Sequence, residues 1–472
     1  MPILRIWDEE SQSYQEIAAL VGPQGPAGAD GAPGQDGADG APGEQGAAGP
    51  NEVSASTATS FNGLLKGNGS VVAQAVAGTD YLKPPTGTQG QLLGFTADNT
   101  VGAVDMPVSG GKSYATLVVG TSTSGHSEDK VDYLCDGTDD QVEINAAIAS
   151  LASSGGKIVI LDGDYNLTGR ISVNEDNIFL EGMGSSTTFH REWDETSKNG
   201  LIRISGRNCI IKNISTNGTR NQYDCGIYIG FPQCSVIGCN FNFHETGIYT
   251  TSYYGHQILQ NTFFNISGFA NAIDINSSDS IIQNNMLGGA GIRVAENYSN
   301  ILITGNFGDS SQASRIVTSG DCIRIIGNDG VEISCYAGTG IVIQGNRCYS
   351  SSQGATKTIL IDGAKDVSVV GNYCYGANSG IQVWNSAENI AISSNSIIDN
   401  NIAIDVSACK NCVITGNVCL RGSGASSDYT SNQYTIFLEN EAENCLISSN
   451  LIMGKNIVDN GTNNIKANNK YN

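Results

Sequence analysis

Acidic and basic side chains stand at outward positions of short apolar strand patterns in the second half of the chain. Asp274, Arg293 and Arg324 occupy corresponding places in three such patterns, and Asp321 and Glu245 lie at the turns before them. Glycoside hydrolysis requires two carboxylates about 5–10 Å apart. A carboxylate beside an arginine instead suits lyase chemistry, because the guanidinium acidifies the substrate proton. These five residues are the predicted catalytic set, and a solvated, salt-bridged outer surface is the alternative.

Histidine and aromatic side chains flank the same region and suggest contacts with sugars. An aromatic face can cover a pyranose ring, although packing in a core or crevice is the alternative. Trp193 lies in the polar loop 190–196, so we expect it to be the most exposed of these aromatic residues. The predicted ligand-binding residues are His244, His256, Tyr253, Tyr254, Trp193 and Trp384.

The 13 cysteines give no sign of a disulfide framework or a zinc site. Cys409 and Cys412 form one C-x-x-C pair, with no second pair or histidine cluster near it. Buried, unpaired thiols that serve as small apolar residues are predicted instead. No metal site and no cofactor is predicted, and Ca²⁺ stays open as a structural or bridging ion.

Composition narrows the class of partner. Only 15% of residues are charged, glycine reaches 59, and the formal net charge is −22. Few charges and much glycine favour a β architecture over long helices. Nucleic-acid backbones and anionic membranes attract clustered Lys and Arg, which are missing here, so both are excluded as partners. Neutral or mixed-charge glycans fit this charge better than polyanions.

Residues 22–50 carry the strict glycine period of a collagen-like triple helix. Only glycine fits at the axis of three wound polyproline-II chains, so the repeat predicts a homotrimer. Glycine occupies every third position ten times in succession: Gly22, Gly25, Gly28, Gly31, Gly34, Gly37, Gly40, Gly43, Gly46 and Gly49.

The flanking segments are predicted to attach and connect this stalk. Residues 1–21 alternate apolar and polar types, which suggests a small β element that attaches to a larger particle. Residues 51–112 are rich in Gly, Ser, Thr and Ala and are predicted to form a thin trimeric neck. Lys66–Ser70 and Ala77–Tyr81 resemble a passage common in phage tail fibres, which implies that the N-terminal segment attaches to a phage baseplate or tail.

Residues 113–472 are predicted to form an all-β fold, a right-handed parallel β-helix. Asp139 or Asp140 can cap a helix at about 139–152 whose apolar face includes Val142, and Gly155–Gly156 ends it. The segment 135–163 resembles the entrance of the pectate-lyase-superfamily β-helix, where a short helix closes the end of the solenoid.

Asparagine follows an apolar strand pattern at intervals of 18 to 33 residues. A second strand lies between successive asparagines, so each coil is predicted to hold two strands and an Asn turn. Stacked coils place these side chains about 4.8 Å apart, close enough for an Asn ladder. About 12 coils result. The ladder positions are Asn240, Asn261, Asn285, Asn306, Asn328, Asn346, Asn372, Asn395, Asn417 and Asn450.

The polygalacturonase branch of this superfamily offers a test of chemistry. Gly320–Ile323 resembles its D-D-C-I string with the first Asp replaced by Gly. Asn271–Asp274 resembles the string after its N-T-D motif, with Asn271 in place of the catalytic Asp. No G-H-G follows. The resemblance implies the fold and argues against that activity.

Three functions are compatible with these features. The first is a virion tail-fibre or tailspike adhesin, a homotrimer that binds host surface polysaccharide. The second is a depolymerase on the same β-helix, a hydrolase or a lyase. The third is a bacterial collagen-like surface protein, which a missing apolar leader and wall anchor disfavour. The first function implies a protein that is made in the host cytoplasm, becomes part of the virion and acts outside the cell.

Overall fold

The computed structural model describes residues 116–151, 155–266, 271–308, 314–349, 357–420, 434–453 and 456–471, and the backbone of six short strands before them. The chain divides into two compact units, residues 1–104 and 105–472. The predicted stalk and most of the predicted neck lie outside the described residues. The six short strands pair two by two: Arg5–Asp8 with Ser13–Glu16, Leu65–Gly67 with Val72–Gln74, and Gln91–Phe95 with Val101–Asp105.

The second unit is a right-handed parallel β-solenoid of about 12 coils, which confirms the predicted fold. Each coil contributes to three parallel sheets, however, where the sequence predicted two strands. We number the sheets in the order in which the chain visits them within a coil. The asparagine of each coil separates the first sheet from the second. The strand that the sequence analysis placed between successive asparagines lies in the third sheet.

The strands distribute over the sheets as follows. The first sheet holds Thr116–Thr121, Gly156–Ile160, the starts of Ile178–Arg191 and Ile210–Asn217, Ser235–Ile237, Gln257–Leu259, Ile281–Gln283, Leu302–Thr304, Arg324–Ile326, Val342–Gln344, Lys365–Val370, Ala387–Ser393, the end of Ile402–Thr415, Leu446–Ser448 and Ile465–Ala467. The second holds Gly163–Leu167, the ends of Ile178–Arg191 and Ile210–Asn217, Asn240–Asn242, Thr262–Phe264, the start of Asp329–Tyr336, Arg347–Tyr349, Tyr373–Tyr375, Ser396–Ile398, Val418–Leu420, Leu451–Met453 and Lys470–Tyr471. The third holds Ile171–Val173, Ile202–Ile204, Cys225–Ile229, Thr246–Thr250, Asn271–Ile275, Gly291–Val294, Ser314–Thr318, the end of Asp329–Tyr336, Lys357–Asp362, Ser379–Trp384, the start of Ile402–Thr415, Ile436–Glu443 and Val458–Asp459. Tyr133–Cys135 pairs with the first strand of the unit.

Stacked aliphatic side chains form the core. Ile248, Ile273 and Ile292 are register neighbours in successive coils, and all three are fully buried. Strand side chains alternate between the two sides of a sheet, so every second residue joins this inner column. The outer positions hold a mixture of aromatic, aliphatic, polar and charged residues.

The predicted Asn ladder is confirmed from Asn261 to Asn450, and it continues to Asn469. Each side-chain amide donates to the Oδ1 of the next asparagine at 2.8–3.0 Å. Asn240 is not part of it. Cys239 takes that place, and its backbone N–H donates to Asn261 Oδ1 at 2.9 Å, while Asn240 donates to Ser215 Oγ.

A helix closes the front of the solenoid, as predicted, at Gln141–Ser150. Val142 is 58% exposed, so its assignment to the apolar face was wrong. Asp140 precedes the helix without a side-chain capping bond. Its carboxylate instead accepts the backbone N–H groups of Gly137 and Asn166, each at 2.8 Å, and so ties the helix to the following coil.

Polar residues take the inward register positions of the last described coil, where they are half-buried or exposed. Asp459, Lys466 and Tyr471 stand in register with the buried Leu438, Ile447 and Ile452. Lys466 Nζ lies 3.6 Å from Asp459 Oδ2. Inward charges discourage edge-to-edge pairing of an open sheet, because further stacking would bury them.

Twelve of the 13 cysteines are buried and unpaired, as expected for small apolar residues. Cys322 is the exception, because it lies exposed at a turn with a positive φ of 52°. Among the described residues, no helix combines the length and apolar character needed to cross a membrane.

Candidate functional site

The outer face of the third sheet carries a continuous row of side chains, which we call the third-sheet row. Register pairs place its members in successive coils: Arg203, Tyr228, Tyr249, Asp274, Arg293, Val317, Ser334, Leu360, Gln382, Asp405 and Phe437. Asp274 and Arg293 are neighbours in this row, as predicted. Arg324 was placed beside them wrongly, because it lies in the first sheet, paired with Val342.

Asp274 and Arg293 are the two predicted catalytic residues that the fold brings into contact. Arg293 Nη1 lies 2.8 Å from Asp274 Oδ1, and Asn276 Nδ2 donates to the same oxygen at 3.2 Å. Asp274 is only 4% exposed. The cation and the amide both engage this buried oxygen, so the pair is better suited to shaping the surface than to contacting a reacting sugar.

Aromatic rings and cations alternate at the front of the row. Tyr228 and Tyr249 stack with ring centroids 5.9 Å apart and planes inclined by 21°. The Arg203 guanidinium lies 5.1 Å from the Tyr228 ring, and Lys198 Nζ lies 5.7 Å from the Tyr249 ring. Burial raises the pKa of the Tyr249 phenol, which therefore stays a hydrogen-bond donor at neutral pH. Flat rings edged by donors are suited to a sugar ring and its hydroxyls.

The other three predicted catalytic residues lie apart. Asp321 is exposed in the turn between the third and first sheets, two coils beyond Asp274, and accepts the Thr339 N–H at 2.8 Å. Glu245 is half-buried in the turn before the strand Thr246–Thr250. Arg324 is exposed on the first sheet. The predicted five-residue cluster therefore does not form.

Both predicted ligand-binding histidines are completely buried, so they cannot contact a surface glycan. His244 Nδ1 lies 3.0 Å from Asp224 Oδ1, and His244 Nε2 lies 2.9 Å from Thr216 Oγ1. Burial lowers the pKa of His256 to about 4, so it is neutral near pH 7. The sequence positions of the two histidines placed them near the third-sheet row, but they could not show that both side chains are buried.

The predicted aromatic platforms also separate. Trp193 is half-buried, with the Arg191 guanidinium 4.3 Å from its ring, so its predicted exposure was wrong. Tyr253 stacks on Phe231 in a turn, with centroids 5.2 Å apart. Tyr254 follows in the same turn and is 51% exposed, and the third-sheet Trp384 is 43% exposed.

A second group on the third sheet contains Trp384, a predicted ligand-binding residue, together with four residues that were not predicted to form a site. We call it the carboxyl patch: Gln382, Trp384, Asp405, Ser407 and Glu439. Gln382 Nε2 donates to Asp405 Oδ2 at 2.7 Å, and Ser407 Oγ donates to Glu439 Oε1 at 3.1 Å. Lys357 Nζ lies 5.2 Å from the Trp384 ring. Two carboxyls, an amide, a hydroxyl and an exposed indole thus share one outer surface.

Asp405 has the environment of a proton-carrying carboxyl. It is 5% exposed, and its Oδ1 has no hydrogen-bond partner in the described part of the chain. Burial raises the pKa of Asp405, and the neighbouring charge of Glu439 raises it further. Perturbed carboxyls beside a second carboxyl mark candidate acid–base sites. The alternation of its strand puts Asp405 at an outward position, but nothing in the sequence revealed the burial of this carboxyl.

One group within the described residues has the composition of a metal site: Cys135, Asp140 and Glu143. The carboxylate of Asp140 already binds two backbone N–H groups. Burial also raises the pKa of the Cys135 thiol far above its usual value, which disfavours the thiolate that a metal needs. These residues therefore fit the end cap of the fold better than an ion.

No protein-family profile matches this chain, and a search of curated proteins finds no match. Several solved structures share the solenoid. The A-module of a mannuronan C-5 epimerase from Azotobacter vinelandii is 17% identical, with a TM-score of 0.48 over 71% of this chain and 96% of that one. ORF18 of Geobacillus virus E2 is 17% identical, with a TM-score of 0.36 over 75% and 62%. Tailspike protein 3 of bacteriophage CBA120 is 14% identical, with a TM-score of 0.43 over 75% and 61%. Likenesses of this degree carry no argument about chemistry, which rests on the residues above.

Proposed function

We propose that this chain is a virion tail-fibre or tailspike adhesin that binds host cell-surface glycans through the outer face of its third sheet. The observation that carries the proposal is the third-sheet row, in which stacked tyrosines, cations and a carboxylate follow one another at the spacing of the coils. Such a row offers an extended polymer repeated aromatic and hydrogen-bonding contacts along one direction.

The adhesin is proposed to be a homotrimer attached to the tail through its N-terminal segment. Support comes from the collagen-like repeat at residues 22–50, since a triple helix needs three chains. Sedimentation of the whole chain under native conditions tests this assembly. A monomeric mass would contradict it.

Replacing Tyr249 by alanine is expected to weaken glycan binding about tenfold, which corresponds to about 1.4 kcal/mol. The change removes one ring of the Tyr228–Tyr249 stack and uncovers Lys198. An array of bacterial surface polysaccharides, followed by interferometry on the best ligand, measures the loss. Phe264→Ala removes an exposed ring on the second sheet, whereas Tyr249 is half-buried, and serves as the control. Equal binding by both variants would reject the third sheet as the binding face.

Hydrolysis of the bound polysaccharide is a second candidate function, and the carboxyl patch specifically favours it. Asp405 supplies a carboxyl with a raised pKa and Glu439 a second carboxyl beside it. A protonated acid for the leaving oxygen and an ionised partner for water or the anomeric carbon are what glycosidases use. β-Elimination needs a cation to neutralise a uronate. The charge of Lys357 already acts on Asp405, and its ammonium lies over the Trp384 ring, so hydrolysis is favoured over lyase chemistry.

Under this second function, Asp405→Asn is expected to lower cleavage by at least about 100-fold, since proton transfer contributes roughly that factor. Reducing ends released from host polysaccharide measure hydrolysis, and unsaturated sugars would report a lyase. The raised pKa of Asp405 predicts that activity persists to higher pH than an ordinary carboxylic acid would allow. Asp321→Asn, which alters an exposed carboxyl in a turn outside the third-sheet row, is the control. Loss of activity in the control alone would remove the patch from the mechanism.

A further inference from the structure

A cavity of about 350 Å³ lies on the outer face of the second sheet, away from the third-sheet row. Gly308 and Gly330 form its floor in successive coils, and a Cβ on Gly308 would collide with the carbonyl oxygen of Gly330. The floor is therefore free of side chains while its neighbours are bulky. This local loss of side chains makes a hollow in an otherwise continuous sheet surface.

Aromatic rings form the walls of this cavity. Tyr349 and Tyr375 stack with centroids 5.9 Å apart and planes inclined by 9°. Phe307 and Tyr373 are 48% and 37% exposed. The negative charge of Asp399 raises the pKa of the Tyr375 phenol, so this ring stays protonated and hydrogen-bonds that carboxylate. Ligand pockets typically combine such apolar walls with a few polar groups, and this volume is within their range of about 300–1,000 Å³.

An ion pair supplies the polar groups. Arg347 Nη1 lies 3.5 Å from Asp329 Oδ1 in the adjacent coil, and the two side chains are 69% and 41% exposed. A guanidinium has five N–H donors and a carboxylate about four acceptor sites, and this contact uses one of each among the described residues. Hydroxyl groups, which donate and accept, can engage both partners at once.

We propose that this cavity is a second carbohydrate-binding site, which takes a single neutral pyranose ring. The sugar lies against Tyr373 and the Tyr349–Tyr375 stack, and its hydroxyls bind Asp329 and Arg347. The pair is neutral overall and the chain carries a net charge of −22, so an acidic sugar is disfavoured by Asp329 and by the whole protein. This site is on another sheet and does not depend on glycan binding at the third-sheet row.

Saturation-transfer NMR on the whole chain tests the proposal with four probes: the methyl pyranosides of glucose, galactose and mannose, and methyl glucuronide as the acidic comparison. We expect transfer to at least one neutral probe and less to the glucuronide. Tyr373→Ala should weaken binding of that probe about tenfold. Tyr336→Ala is the matched control, because Tyr336 has the same 37% exposure and lies outside the cavity.

Three outcomes would overturn the site. The neutral probes could show no transfer, or Tyr373→Ala and Asp329→Asn could both bind like the unaltered chain. Alternatively, the same variants could lower the native mass in sedimentation, which would identify the face as a contact between copies. Tyr249→Ala separates this proposal from the glycan-binding adhesin, because it should leave the probe bound while polymer binding falls.

Discussion

Replacing Asn346 by alanine destabilises the solenoid by about 3–5 kcal/mol, because each buried polar group left without a partner costs about 1–3 kcal/mol. Asn346 Nδ2 donates to Asn372 Oδ1 at 2.9 Å and to the Ile325 carbonyl at 2.8 Å. Its own Oδ1 accepts both the backbone N–H and the side-chain amide of Asn328, each at 2.9 Å. Alanine removes all four bonds and leaves several of these groups buried. The shift of the urea midpoint, with hydrogen exchange across neighbouring coils, measures the loss.

Asn240→Ala is the control for this experiment. Asn240 belongs to the same sequence repeat but stands outside the ladder and donates to Ser215 Oγ. We expect a loss near 1 kcal/mol there, the usual net value of one hydrogen bond. If the two substitutions cost the same, the ladder is not what holds the coils together.

Asp224→Asn is expected to cost about 3 kcal/mol, because the buried Arg191 loses its closer carboxylate and keeps only Glu195, whose Oε2 lies 3.5 Å from Arg191 Nη1. Asp224 and Arg191 are buried, with Arg191 Nε 3.2 Å from Asp224 Oδ1. His244 Nδ1 lies 3.0 Å from the same oxygen. Equilibrium unfolding at pH 7 measures the effect. Glu388→Gln, which breaks the exposed Lys365–Glu388 pair at 3.2 Å, is the control and should cost under about 1 kcal/mol.

The same substitution predicts a dependence on pH. Burial alone would raise the pKa of Asp224, but the hydrogen bond from His244 and the charge of Arg191 hold it below its usual value. A carboxyl with a lowered folded pKa stabilises the protein above its unfolded pKa, about 3.9, and loses that contribution as pH falls. The stability gap between the unaltered chain and Asp224→Asn should therefore be full near pH 6 and shrink below about pH 4. A gap that stays constant down to pH 3 would show that the charge of Asp224 is irrelevant.

This buried network also supports the proposed binding face. Asp224 directly precedes the strand Cys225–Ile229, which carries Tyr228, and Arg191 Nη2 donates to the Cys225 carbonyl at 2.8 Å. The network thus fixes the start of a strand in the third-sheet row. Its histidine, which the sequence assigned to ligand binding, instead holds the scaffold of the site.

The alternative of a salt-bridged outer surface proved right at one corner of the solenoid. Lys365, Glu388, Lys410 and Glu443 are successive register neighbours, and their charges alternate. Ion pairs join Lys365 to Glu388 and Lys410 to Glu443. Outward charges alone were therefore no guide to chemistry, whereas burial, as at Asp405, distinguishes one carboxyl from another.

The sequence by itself determined the solenoid, since its signals are local and repeat in every coil. Alternating isoleucines and a recurring asparagine indicate which side chains face inward. This pattern can be recognised within one coil, without knowledge of the neighbouring coils. The capping helix could be located for the same reason. The partner of each outward residue could not be located from the sequence, because the spacing of the asparagines varies between 18 and 33 residues.

Only the tertiary structure decided which side chains meet. The sequence pattern predicted that Arg324 follows Arg293 on the outer face of the third sheet. The register places Val317 there instead, because each coil holds three strands and Arg324 belongs to the strand in the first sheet. Burial of His244, the environment of Asp405 and the hollow over Gly308 and Gly330 also depend on contacts between residues roughly 20 or more positions apart. A pattern within one coil carries no information about such contacts, since hydrogen bonding and desolvation act between coils.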